Sequence, residues 1–304
     1  MSGFHAEATQ RMLRLATEPL APTSGVPQGR SRVWWPIRSI LGQRELLGLL
    51  IRRDLKARYK DSALGFFWSL ARPLLQLAIY FVVMGHFLQA AKGIPDFAVY
   101  VFAGLTAMGF FTETVGGGTG SILSNAGLVK KVHLPREVFP LASVGGGLFN
   151  FGVQFLVLIL ATIIAGRPPL HFDFFYLVPA LLLLIVYATA AALLFSAINV
   201  YLRDMQYLVE VGTMLLFWAS PVVYSWQMVS SIITSPLLLD VYTNNPLTLA
   251  VLGFQKAFWM AAPESSFPAD LLLRILVALA VGVVCLFASH RVFLRLQGNF
   301  AQEL

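Results

Sequence analysis

Residues 176–199 read YLVPALLLLIVYATAAALLFSAIN, without one charged side chain. A helix rising about 1.5 Å per residue crosses the roughly 30 Å hydrocarbon layer in about 20 residues, so this stretch is long enough to span a bilayer. Working outward, comparable apolar stretches occur at 70 to 90, 97 to 119, 141 to 165, 208 to 226 and 271 to 292. Of the 304 residues 57% are hydrophobic and 12% charged, whereas soluble domains carry about 25% charged residues. The expected fold is an all-α membrane protein with six transmembrane helices, which excludes water-soluble enzymes.

Basic residues orient the spans, because cytoplasmic flanks are enriched in Lys and Arg. With the N-terminus inside, the inner side holds twelve basic residues up to Arg72, then Lys130, Lys131, Arg136, Arg203, Arg291 and Arg295. The outer side holds Lys92, Arg167, Lys256 and Arg274. Both termini are therefore expected in the cytoplasm. The net charge of +7 resides mainly in span flanks, which leaves no case for nucleic-acid binding. Cys285 is the only cysteine and lies in an apolar run, which excludes an intramolecular disulfide or a CxxC pair. Residues 1–42 are polar, lack the apolar core of a signal peptide and read as a flexible cytoplasmic tail.

Residues 43–61, QRELLGLLIRRDLKARYKD, space Leu47, Ile51 and Leu55 every four residues, with Arg52, Lys56 and Lys60 on another side. That pattern predicts an amphipathic helix over 43–62 lying in the membrane surface, with Arg52, Arg53, Lys56, Arg58 and Lys60 facing anionic lipid headgroups or a partner. A plain positive anchor for the first span accounts for the same residues. The segment 227–270 interrupts the spans with Pro236, Pro246, Pro263 and Pro268 around an apolar stretch from Leu247 to Trp259. Short re-entrant helices before the last span are expected there, since lipid satisfies no exposed backbone groups.

Three segments carry a resemblance: RDLKARYKDSALGFFWSLARPLLQL at 53–77, NAGLVKKVHLPREVFPLASV at 125–144 and NVYLRDMQYLVEVGTMLLFWASPVVYS at 199–225. With the six-span plan they resemble the permease subunits of ABC-2 type polysaccharide exporters, and 63–304 would be the transmembrane domain. The resemblance implies an exporter of a lipid-linked polysaccharide, of O-antigen, teichoic acid or cell-wall galactan type, in a bacterial plasma membrane. It also implies a second copy of this chain and two ATPase subunits that bind ATP and Mg. The chain has no Gly-Lys dipeptide and so no P-loop of its own. The resemblance makes the inner loop a cytoplasmic coupling helix seated on the ATPase, with Lys130, Lys131, His133, Leu134, Pro135, Arg136 and Glu137 as contacts and Arg203 and Asp204 as a second contact. A positive-inside loop is the plainer reading.

The glycine runs Gly116 to Gly118 with Gly120, and Gly145 to Gly147, lie in spans without a lysine. They read as close helix packing, with Gly116 and Gly120 as a small-xxx-small pair. Glu113, placed near the inner end of span two, is an intramembrane charge whose role, packing or substrate contact, stays open. Aromatic residues gather in spans one and five. Interfacial belts explain those at the ends, and the resemblance makes Phe66, Phe67, Trp68, Tyr80, Phe81, Phe217, Trp218 and Tyr224 a channel lining on which sugar rings can stack. Phe254, Phe258 and Trp259 would form an outer gate. A membrane-embedded transferase acting on lipid-linked sugars is the alternative, but there is no DxD motif and the five histidines stand singly. No metal site is expected.

Overall fold

The computed structural model describes residues 44–59, 67–87, 94–131, 134–164 and 166–304, and among them helices are the only regular elements. In chain order these are α1 (Arg44–Tyr59), α2 (Phe67–Ile79) continued by a π-helix (Tyr80–Phe87), α3 (Phe97–Ser124), the short α4 (Ala126–Lys131) and α5 (Val138–Ile164). A 3₁₀ turn (Phe172–Tyr176) leads into α6 (Leu177–Tyr201), followed by α7 (Met205–Trp218), α8 (Trp226–Ile232), α9 (Pro236–Thr243) and α10 (Pro246–Phe258). The long α11 (Leu271–Leu296) and the terminal turn α12 (Phe300–Glu303) complete the chain. Among the described residues four helices are long and apolar enough to cross a membrane: α3, α5, α6 with its preceding turn, and α11.

Two expected spans take another form. The stretch 208 to 226 is not one helix: α7 stops at Trp218 after 14 residues, about 21 Å at 1.5 Å per residue and short of the hydrocarbon layer. Pro221 follows, and a residue that lacks an N–H and clashes with the preceding turn kinks or breaks a helix. The first span changes its hydrogen-bonding pattern at Tyr80, about two turns after Pro73 inside α2.

The segment 227–270 folds as the short helices α8, α9 and α10. Pro236 and Pro246 start α9 and α10 at positions where a missing N–H costs nothing, and the Asn245 side chain accepts a bond from Leu247 N at 3.1 Å. The prolines therefore punctuate helices here rather than abolish them.

α3 is the central helix: 78% of its most apolar stretch is buried, against 22% for α11. It runs antiparallel to α5, with Gly109 beside Gln154, Phe110 on Phe151, Glu113 on Asn150 and Thr114 against Gly147. Two reversals later α6 is parallel to α3, and Asn199 Nδ2 donates to Thr119 O at 3.0 Å. The close approach of α3 and α6 lies at Gly118, where an added Cβ would stand 2.5 Å from Ala192 Cβ. The expected pair Gly116 and Gly120 does not provide it: Gly116 has open space and Gly120 meets the Gln206 side chain.

Two apolar cores form. The larger unites α3, α5, α6 and α10 through residues such as Phe102, Phe110, Leu183 and Phe254. The second, around Ile122, Val129, Phe139, Val200, Phe293 and Phe300, gathers the ends of α3, α6 and α11 with α4 and the apolar face of α1.

Candidate functional site

At the second core the amphipathic α1 packs Leu46, Leu47, Leu50 and Ile51 inward, and Arg53 Nη2 donates to Asn125 Oδ1 at 2.7 Å. Arg53 also pairs with Asp54, while Arg52 and Lys56 are exposed. Arg58 falls in the last turn of α1, and Lys60 lies outside the described residues. α4 follows its own periodicity: Val129 is buried, and Gly127, Leu128, Lys130 and Lys131 are exposed beside it.

The nine expected coupling residues divide by burial. Lys130, Lys131, Arg203 and Asp204 are exposed where the same bundle end turns, with Leu202 exposed beside the latter two. Leu134, Pro135 and Arg136 are half-buried. The Arg136 guanidinium lies 5.7 Å from the centre of the Phe300 ring, and partial burial lowers its pKa while neighbouring Glu137 opposes that shift. Glu137 is only 4% exposed, with its Oε1 3.9 Å from His290 Nε2 on α11. In this chain that side chain faces α11 rather than the exposed surface of the loop. His133 lies outside the described residues.

Charges at the opposite end are neutralised in pairs: Arg167 with Asp96 at 2.5 Å, Lys256 with Asp173 at 3.8 Å and Arg274 with Asp240 at 3.0 Å. Lys130, Lys131 and Arg203 have no such ion pair among the described residues, so uncompensated positive charge collects at the α4 end.

Between these ends the structure brings the expected aromatic residues of spans one and five together in part. Tyr80 and Phe217 rings are 6.1 Å apart, Phe217 and Trp218 pack edge to face at 5.5 Å, and Tyr224 OH donates to Trp218 O at 2.6 Å. Trp218 and Phe81 are exposed. Phe67 and Trp68 open α2, and Phe66 lies outside the described residues. Glu113 is not near the inner end of its helix but past its middle, where Asn150 Nδ2 donates to its Oε1 at 2.5 Å. An intramembrane carboxylate bonded to an amide on the facing helix serves packing as well as any ligand.

The residues expected as an outer gate are buried in this chain. Phe254, Phe258 and Trp259 are 0%, 1% and 3% exposed. Their rings meet Phe151 at 5.8 Å, Phe155 at 5.6 Å and Tyr100 at 4.8 Å respectively. Rings so enclosed can shift a gate only by moving the helix that carries them.

Sequence reasoning missed what holds the break after α7. Pro221 O accepts from Tyr100 OH at 3.0 Å and Gln255 Nε2 at 2.7 Å, and Tyr100 OH also lies 2.8 Å from Tyr224 O. Irregular backbone at membrane depth persists only where protein satisfies it. A buried Tyr and Gln in apolar helices were the available signal.

A family model described as ABC-2 type transporter matches residues 45–259. The O-antigen export system permease protein RfbA of Myxococcus xanthus is 30% identical over 269 residues, covering 88% of this chain and 98% of that protein. A Klebsiella pneumoniae protein of the same name is 26% identical over 86% of this chain and 95% of its own length. The polysialic acid transport protein KpsM of Escherichia coli is 23% identical over 60% of this chain and 70% of its own. Helical architecture and a match over most of the length agree: the chain belongs to the ABC-2 type transporter family.

Proposed function

We propose that this chain is the membrane-spanning permease subunit of an ATP-driven exporter that moves a lipid-linked polysaccharide out of the cytoplasm. The observation that carries the reading is the similarity to O-antigen export permeases along nearly their whole length. Two copies would assemble with two separate ATPase subunits, which bind ATP and Mg, and each copy would contribute its transmembrane helices with both termini in the cytoplasm of a bacterial plasma membrane. In this arrangement 1–42 is a cytoplasmic tail, 43–62 the interface helix and 63–304 the transmembrane domain. The excess positive charge around Lys130, Lys131 and Arg203 supports placing the α4 end inside, and exposed α4 supports its docking on an ATPase. Tyr80, Phe217, Trp218 and Tyr224 supply apolar ring faces for sugar stacking along the path.

The test is co-purification with a candidate ATPase from the neighbouring genes, followed by mass measurement in detergent and ATP-dependent glycan export in reconstituted vesicles. Two permeases with two ATPases, and export that needs ATP, are expected. A chain that stays monomeric, never binds the ATPase and exports nothing overturns the reading.

A further inference from the structure

Against the first half of α11 lies a groove of about 500 Å³ whose mouth holds Asn244, Asp270 and Arg274 and whose walls include Tyr187, Val277 and Val281. The walls are apolar, because the Tyr187 hydroxyl is spent on Ala278 O at 3.1 Å. Val277 and Val281 are 56% and 52% exposed on the lipid-facing side of the helix. From Asp270 to Val281 a helix rises about 16 Å, which is close to half of the roughly 30 Å hydrocarbon layer. The groove therefore has the depth of one leaflet, with its polar groups where headgroups lie.

The mouth is selective in charge. Arg274 Nη1 donates to Asp240 Oδ1 at 3.0 Å and Asn244 Oδ1 at 2.9 Å, and its Nε reaches Ala269 O at 3.3 Å. Nη2 makes no hydrogen bond among the described residues, which leaves a charged donor for a phosphate oxygen. Asp240 already pairs with Arg274 and Asp270 stands at the same mouth, so a purely anionic headgroup or a diphosphate meets no net positive charge. A headgroup with a phosphate and an ammonium satisfies both signs.

We infer that the groove between α6, α10 and α11 is a binding site for a zwitterionic ethanolamine phospholipid, its phosphate on Arg274, its ammonium on Asp270, and an acyl chain along Tyr187, Val277 and Val281. The inference rests on the export reading only for naming the leaflet as the outer one.

The test is native mass spectrometry of the purified chain offered phosphatidylethanolamine, phosphatidylglycerol and a polyprenyl phosphate, without ATPase. Bound phosphatidylethanolamine is expected to survive detergent removal and to fall about tenfold in Arg274→Gln and Asp270→Asn, the scale of one lost charge-assisted pair. Val277→Trp fills the groove on an exposed position and should displace the lipid equally, whereas Phe287→Trp, farther along α11, should not. Preference for phosphatidylglycerol or polyprenyl phosphate, or full retention in Val277→Trp, overturns the assignment. Export is measured on the same preparations: an unsubstituted chain that retains phosphatidylethanolamine but exports no glycan with its ATPase counts against the export reading alone.

Discussion

Gly116 and Gly118 point to nearly opposite sides of α3, and only one of them is under pressure. An alanine at 118 would press on Ala192 Cβ at 2.5 Å and its Cα at 3.0 Å, both on a packed helix, whereas nothing lies within 4 Å of position 116. Gly118→Ala is expected to destabilise by about 1–3 kcal/mol, the usual cost of overpacking, and Gly116→Ala to be neutral or to gain up to about 1 kcal/mol of helix propensity. Thermal unfolding of both variants in detergent measures the contrast, and equal midpoints would show that α3 and α6 do not close on Gly118. Glu113 gives a second test at this scale. Glu113→Gln keeps an acceptor for Asn150 Nδ2, while Glu113→Leu removes it beside an amide only 8% exposed. The leucine variant should lose about 1–3 kcal/mol more than the glutamine variant. If glutamine abolishes export at full stability, the carboxylate serves the substrate instead.

At the scale of elements, α10 is a helix that enters the bundle without crossing it and is buried along nearly all its length. Phe254→Ala should cost about 3–5 kcal/mol, the range for emptying an aromatic site in a core, and be read as lower yield and midpoint rather than as a leaky channel. α4 is the opposite case, with one buried side chain, Val129, and both lysines exposed. Lys130→Glu with Lys131→Glu should leave stability unchanged and reduce ATPase association in pull-down. Unchanged association and export would remove α4 from the docking surface. The short α7 was misread because Phe217, Trp218, Val222, Val223 and Tyr224 keep hydropathy high through the helix end. Pro221 was the visible warning, but a proline inside a span can also leave a helix merely kinked.

For the whole molecule, positive charge is paired at one end and left open at the other, an asymmetry on which the proposed orientation draws. The exposed apolar side chains on α7, among them Tyr207, Met214 and Trp218, form a face that the single chain leaves uncovered. In the proposed dimer this face and Tyr80 border the glycan path. Trp218→Ala should slow export several-fold while protein level changes little, since Trp218 is 50% exposed and leaves no cavity behind. Export at the normal rate would place the path elsewhere.

Helical class, membrane residence, the amphipathic α1, the basic loop around α4 and the family were legible in the sequence. Each depends on local composition, period or linear motif, and hydropathy reports the average surroundings of a whole turn. Which side of a helix faces which neighbour depends instead on register between segments far apart in the chain. Tyr100 and Gln255 stand 155 positions apart and converge on one carbonyl, that of Pro221. Gly118 rather than Gly116 meets α6, Glu137 turns inward to His290, and Phe254 and Phe258 are buried among the rings of α5. In lipid an apolar side chain is equally at home facing the bilayer or the bundle, so apolarity carries no direction. Only the packed tertiary structure, where volume and hydrogen-bond geometry discriminate between faces, decided those roles.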